Sequence, residues 1–135
     1  MDVNFTVFVD KILSGEKSQT IRKSGGKWEN IKSGDKLTLY AGLRTNECLK
    51  LGEAEVESVT YIEIRQQDKK DVYSIKYEDN SNSSAWYKLP KKELQKLAKA
   101  DGFENVDDFF DFFKNYYGEE FKGKIIKWTN FRKTG

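Results

Sequence analysis

The side chains with chemical capacity crowd into one stretch, Gly15-Glu16-Lys17-Ser18-Gln19-Thr20-Ile21-Arg22, followed at once by Lys23-Ser24-Gly25-Gly26-Lys27. An ammonium, a hydroxyl and a guanidinium stand close together there. Lys17 and Thr20 can act as base and nucleophile only if the lysine is neutral part of the time. Burial and a nearby cation such as Arg22 lower an ammonium pKa in that direction. The ordinary alternative is a solvated lysine beside a strand threonine. Arg22 offers a planar fork of donors for a phosphate or a base edge, or it pairs with an acid such as Glu16. Ser18, Thr20 and Arg22 alternate, so on a strand they share one face, with Gln19 and Ile21 on the other. Gly25 and Gly26 let backbone amides approach a phosphate, or only make a loop pliable.

Composition narrows the chemistry. Histidine is absent, which removes Ser-His-Asp triads, Cys-His pairs and histidine metal sites. Acid–base work falls to Lys, Asp, Glu, Tyr or water. The single cysteine, Cys48, has no disulfide partner in the chain and no zinc spacing, so neither a metal nor another cofactor is expected. Lys plus Arg number 24 against 22 Asp plus Glu, so net charge alone marks no nucleic-acid binder. The charge is segregated, however: residues 101–120 hold seven acidic residues and one lysine, Lys114, and Lys122 to Lys133 holds five basic residues and no acid. No apolar run reaches membrane length and no signal-peptide pattern opens the chain. These features lead us to expect one soluble, cytoplasmic domain over residues 1–135 with no membrane partner; they set no oligomeric state.

The elements that must position the cluster follow from periodicity. Val3 to Thr6 alternates as a short strand; Phe8, Val9, Ile12 and Leu13 have helical spacing, and Gly15 stands where a helix-ending glycine belongs. Lys23 to Lys36 reads as a loop, and Lys36 to Ala41 as a clean strand. Leu49 to Ile64 reads as one bent strand or two. Val72 to Tyr77 and Ala85 to Leu89 alternate around an Asp79 to Ser84 turn. Pro90 starts a helix that Gly102 closes, and Asn105 caps a second, with Asp107 and Asp108 in its first turn and Phe109, Phe110 and Phe113 on its core face. Gly123 to Phe131 closes the chain as a strand. The pattern predicts an α+β domain on a strongly curved or closed sheet.

In this order of motifs the chain resembles the ASCH domain family, a branch of the PUA-like fold. The matching pieces are Gly15-x-Lys17-x-x-Thr20-x-Arg22, Gly34-Asp35-Lys36-Leu37, Leu43-Arg44-Thr45, Ala100-Asp101-Gly102-Phe103 and Ile125-Ile126-Lys127-Trp128. The resemblance spans nearly the whole chain. It implies a small β-barrel with a helix near the N-terminus and two helices before the last strand. It also implies a cleft lined by the Lys17 to Arg22 motif that takes RNA or a modified nucleoside or nucleotide. Some small bacterial members are amidohydrolases that deacetylate 4-acetylcytidine. Carried over by position, that activity implies Lys17 as base and Thr20 as nucleophile. Where those enzymes use a glutamate, this sequence offers Asp101, with Asp108 as a second choice.

Further ligand contacts are candidates on their types alone. Arg44 and Thr45 follow a strand, a frequent place for ligand contacts, though a surface ion pair is the ordinary role of such an arginine. Tyr40 and Trp128 can stack a base, or serve as core aromatics. The basic run from Lys122 to Lys133 can track a nucleic-acid backbone or protect an edge strand. A ribonuclease is a third alternative, in which Lys17 and Arg22 stabilise phosphorane charge and the hydroxyl of Thr20 or Tyr40 assists proton transfer.

Overall fold

The structure is a computed structural model that describes residues 1–75 and 86–134. The expected Asp79 to Ser84 turn, with Lys76, Tyr77 and Ala85 beside it, lies outside the described residues. Among the described residues the chain is an α+β arrangement of three helices and one mixed seven-stranded sheet.

The sheet is organised by two long strands. β4 (Leu49–Arg65) carries alternating apolar residues through Leu51, Ala54, Val56, Ile62 and Ile64. β7 (Glu120–Lys133) pairs with it antiparallel from Gly52↔Lys133 to Arg65↔Glu120. Irregularities at Glu53/Glu55 and Val56/Ser58 bend this ribbon, as added residues do in an antiparallel pair. The bend lets the other edge of β4 serve two partners: β3 (Lys36–Ala41) along its first part and β5 (Asp71–Ile75) along its last. β1 (Asp2–Phe5) extends the sheet in parallel beyond β3, and β6 (Trp86–Lys88) extends it beyond β5. β2 (Gln19–Lys23) lies on the free edge of β7.

Two apolar clusters fill the bend. One joins Val3, Phe5, Ile12, Trp28, Leu39 and Ile126 under α1 (Val9–Ser14). The other packs α2 (Lys91–Ala100) and α3 (Val106–Tyr117) on Ile62, Ile64, Val72 and Phe121. Phe109, Phe110 and Phe113 of α3 are each at most 2% exposed, and each such side chain contributes roughly 2–3 kcal/mol by leaving water. Asn105 caps α3 through its side chain, which accepts from the Asp108 amide at 2.8 Å.

The sheet is not closed into a barrel. Among the described residues β1 and β2 share no backbone ladder. The reason is local: Asp2 O and Asn4 O, two residues apart and so on one side of β1, are taken by the side chains of Lys27 and Arg22, both at 2.7 Å. The seam between β1 and β2 is thus bridged by cations where a barrel would have backbone hydrogen bonds.

Two readings of the last strand need correction. Over residues 123–127 it is interior, between β4 and β2, so Lys124 and Lys127 do not guard an edge, and Lys124 is buried. Trp128 is 4% exposed and meets Phe5 edge-on at 5.9 Å, which places it in the core.

Candidate functional site

The cluster Lys17, Thr20, Arg22 and Asp101 converges on one cleft of about 100 Å³ at the β1–β2 seam. Each wall has a local cause. α1 ends at Gly15, which takes the left-handed conformation (φ 85°), and the chain then turns so that the Lys17 amide donates to Lys11 O. β2 follows at once and is held against Ile125 and Ile126 of β7.

The opposite wall is the turn after α2. Gly102 has φ 108°, and a Cβ there would lie 2.7 Å from Phe8 Cγ, so only glycine fits beneath that ring. Phe8 is itself left-handed (φ 62°), which costs on the order of 1–2 kcal/mol for a bulky residue. Its ring is held there by an edge contact with Phe103 at 5.0 Å. Lys11 Nζ donates to Gly102 O at 2.7 Å and to Glu104 at 3.1 Å, tying α1 to the same turn.

Between these walls lies a buried ion pair. Lys17 Nζ is 3.3 Å from Asp101 Oδ1 and also donates to Asp101 O; each residue is 5% exposed. Gln19 Nε2 donates to Asp101 Oδ1 at 3.5 Å. Burial lowers the Lys17 pKa, against the attraction of Asp101, and the cations Arg22 and Lys11 add to the lowering. Burial likewise raises the Asp101 pKa, against Lys17, Gln19 and Arg22. Both shifts favour the neutral forms, so a proton moves between the two groups at less cost than in water. The rings of Phe8 and Phe5 stand 5.3 and 6.0 Å from the ammonium.

Arg22 is only partly satisfied. Its Nε donates to Thr20 Oγ1 at 3.0 Å and one Nη2 hydrogen goes to Asn4 O. Phe5 and Trp28 lie 5.2 and 5.6 Å from the guanidinium carbon. Among the described residues Nη1 has no protein partner, yet no fully buried side-chain nitrogen or oxygen lacks one. Nη1 must therefore touch solvent, and the cleft that Arg22 lines is the opening beside it. Burial lowers the Arg22 pKa, but a guanidinium stays charged.

The remaining candidates lie elsewhere. Tyr40 is half-buried on β3, paired with Asn4, and does not line the cleft. Arg44 is exposed on the loop after β3, and the Thr45 hydroxyl closes that loop by donating to Gly42 O. Asp108 is exposed in the first turn of α3. Lys17 Nζ and Thr20 Oγ1 share the cleft without a hydrogen bond to each other. Sequence reasoning missed Gln19, Asn4, Phe8 and Tyr117. Gln19 was placed on the strand face away from the motif, and that is the face Asp101 approaches.

Larger depressions exist, one of about 910 Å³ between α2 and α3. That groove is open, and its lysines are solvated. The smaller cleft is where buried titratable groups meet, which makes it the functional candidate. Among the described residues no group of His, Cys, Asp and Glu side chains is arranged to hold a metal ion. No helix among them is long and apolar enough to cross a membrane. The chain matches no family model, no curated protein and no solved structure.

Proposed function

We propose that the chain is an ASCH-type, PUA-like domain that binds RNA or a modified nucleoside or nucleotide in the cleft between β1 and β2. The observation that carries this reading is Arg22: a guanidinium fixed on two sides by Thr20 and Asn4, with unpaired donors facing a cleft walled by aromatic rings. Fixed donors beside rings suit a planar heterocycle with carbonyl or ring-nitrogen acceptors. About 100 Å³ is the share of roughly three waters, room for one ring and not for a folded peptide. Lys17 and Asp101 add a donor and an acceptor from facing walls. Calorimetric titration with the four ribonucleosides and 4-acetylcytidine tests the reading. We expect one of them to bind and Arg22→Lys, which loses the fork, to weaken it about tenfold. Absence of any heat with these nucleosides and with their 5′-monophosphates at millimolar ligand sinks the proposal.

A second reading, amide hydrolysis, is favoured by one observation: the Lys17–Asp101 pair lies in the same cleft as the Thr20 hydroxyl. In that chemistry neutral Lys17 takes the Thr20 proton as Oγ1 attacks the acetyl carbonyl of 4-acetylcytidine. Lys17 returns the proton to the departing cytidine amine, and water then cleaves the acetyl-threonine ester to acetate. Asp101 positions Lys17. Cytidine release no faster than with Lys17→Ala or Thr20→Ala rules this out while leaving the binding reading intact.

A further inference from the structure

The cations that bridge the seam continue outward from the cleft along β1. Lys27 Nζ donates to Asp2 O and Arg22 Nη2 to Asn4 O, acceptors about 7 Å apart on one strand edge. Both cations lie on the same indole, Lys27 at 5.1 Å and Arg22 at 5.6 Å from the Trp28 ring. Asn4 then recruits a third: its Oδ1 accepts the Leu43 amide at 2.8 Å, which holds the loop bearing Arg44 against β1. Arg44 is left-handed (φ 69°), exposed and adjacent to that anchor.

None of Arg22, Lys27 and Arg44 has a carboxylate within 4.0 Å among the described residues, a property they share with most of the lysines and arginines there, so it is their grouping along β1 that sets them apart. The three cations feel one another. The Lys27 pKa is lowered by partial burial, then by Arg22, with Arg44 adding to it and only Asp2 opposing. Three cations with no ion-pair partner, one of which lines a cleft sized for one ring, are arranged for an anion that arrives with the ligand.

We propose that this edge of β1 is a phosphate-binding strip in which Lys27 and Arg44 flank Arg22, so that the occupant of the cleft is a phosphorylated nucleotide unit and not a free nucleoside. The inference rests on the nucleotide reading of the cleft. With the base between Phe8 and Arg22, the phosphate lies one ribose away, against Lys27 and Arg44. The chemistry is shared by a free nucleotide and by a residue of single-stranded RNA.

Titrations with each ribonucleoside, its 5′-monophosphate and a mixed-sequence hexaribonucleotide test it. We expect a phosphorylated ligand to bind at least tenfold tighter than the matching nucleoside at low salt. The ratio of the two affinities should fall about tenfold in Lys27→Gln and in Arg44→Asn, the second chosen because Asn tolerates a left-handed backbone. Both residues are exposed, so both variants fold. If the hexamer binds tightest, the strip serves RNA, and three phosphate contacts give log K against log salt a slope of about −2. If the monophosphate binds tightest, it serves a free nucleotide. Equal affinity for nucleoside and nucleotide, or a ratio unmoved in both variants, overturns the strip and leaves the cleft reading standing. Binding of phosphate ligands with no preference for any base upholds the strip and overturns the cleft reading. No binding by any ligand overturns both.

Discussion

Two lysines in this molecule are equally buried, at 5% exposure, and do opposite things. Lys124, on β7, donates to Trp28 O at 2.9 Å and Glu29 O at 2.8 Å, the carbonyls that end the 3-10 turn at Gly26–Trp28, and lies 5.5 Å from the Tyr61 ring. Among the described residues it has no carboxylate partner, and its role is to close a turn against the sheet. Lys17 has a carboxylate and lines a cleft beside an incompletely paired arginine and a hydroxyl. Burial of an ammonium is thus no mark of function by itself. What separates the two is the buried titratable partner, because Lys124 also lines a depression, of about 500 Å³, beside Glu29 and Tyr61.

Removing the partner of Lys17 tests this most severely. Asp101→Ala strands a buried ammonium, and breaking a buried pair in this way costs about 3–5 kcal/mol. Denaturant unfolding should show that loss, and Lys17→Met with Asp101→Leu should recover most of it, because paired removal of buried charge is often neutral. A loss under 1 kcal/mol for Asp101→Ala would put Lys17 in the same class as Lys124. The corresponding change at the other site is milder. Lys124→Met leaves two carbonyls near a surface turn and should cost about 1–3 kcal/mol, with nucleoside affinity unchanged. A loss of affinity in that variant would erase the distinction between the two regions.

The pH dependence of stability sharpens it further. Asp101 has a raised folded-state pKa, so its stabilising contribution is greatest below the usual aspartate value and declines as pH rises from about 4. Lys17 has a lowered one, so its penalty is relieved as pH rises through the folded value toward about 10. The pair therefore contributes a shallow minimum near neutrality, with limiting slopes of about 1.4 kcal/mol per pH unit on each side. Chemical denaturation across pH should show this minimum in the wild type and in Lys124→Met, and a flatter curve in the Lys17→Met, Asp101→Leu double variant.

Much of the fold was legible because its signals are local. Gly15 ends α1, Asn105 caps α3, Lys36 to Ala41 is a strand, and each follows from a glycine, a cap or strict alternation. The long run from Leu49 proved to be one strand bent by irregularities, a matter of pairing that periodicity leaves open. Lys17, Thr20 and Arg22 were legible as candidates from their types and spacing, and Asp101 only through the family resemblance. What was not legible depends on contacts distant in sequence. Lys124 reads as one more lysine in a basic run, and its burial follows from β2 covering β7. Trp128 reads equally well as a stacking platform or as core until its neighbour Phe5 is known. The open seam follows from side chains of residues 22 and 27 reaching β1 carbonyls, which no strand pattern encodes.

Gln19 is the finest test of what positions the pair. It is 3% exposed, and its amide reaches Asp101 Oδ1 only at 3.5 Å, the long end of hydrogen bonding. A bond this long contributes little stability, so Gln19→Met, which keeps the length and the burial, should cost under about 1 kcal/mol. Its effect on the carboxylate is separable from that cost. The donor stabilises the ionised form of Asp101, so its loss should raise the Asp101 pKa further and extend the acid-side fall in stability, which still begins at about 4, to higher pH. Titration of the Asp101 carboxyl carbon by NMR reads that shift directly. A pKa that stays in place would mean that burial, Lys17 and Arg22 set the charge of Asp101 without Gln19, which would then only fill space on β2.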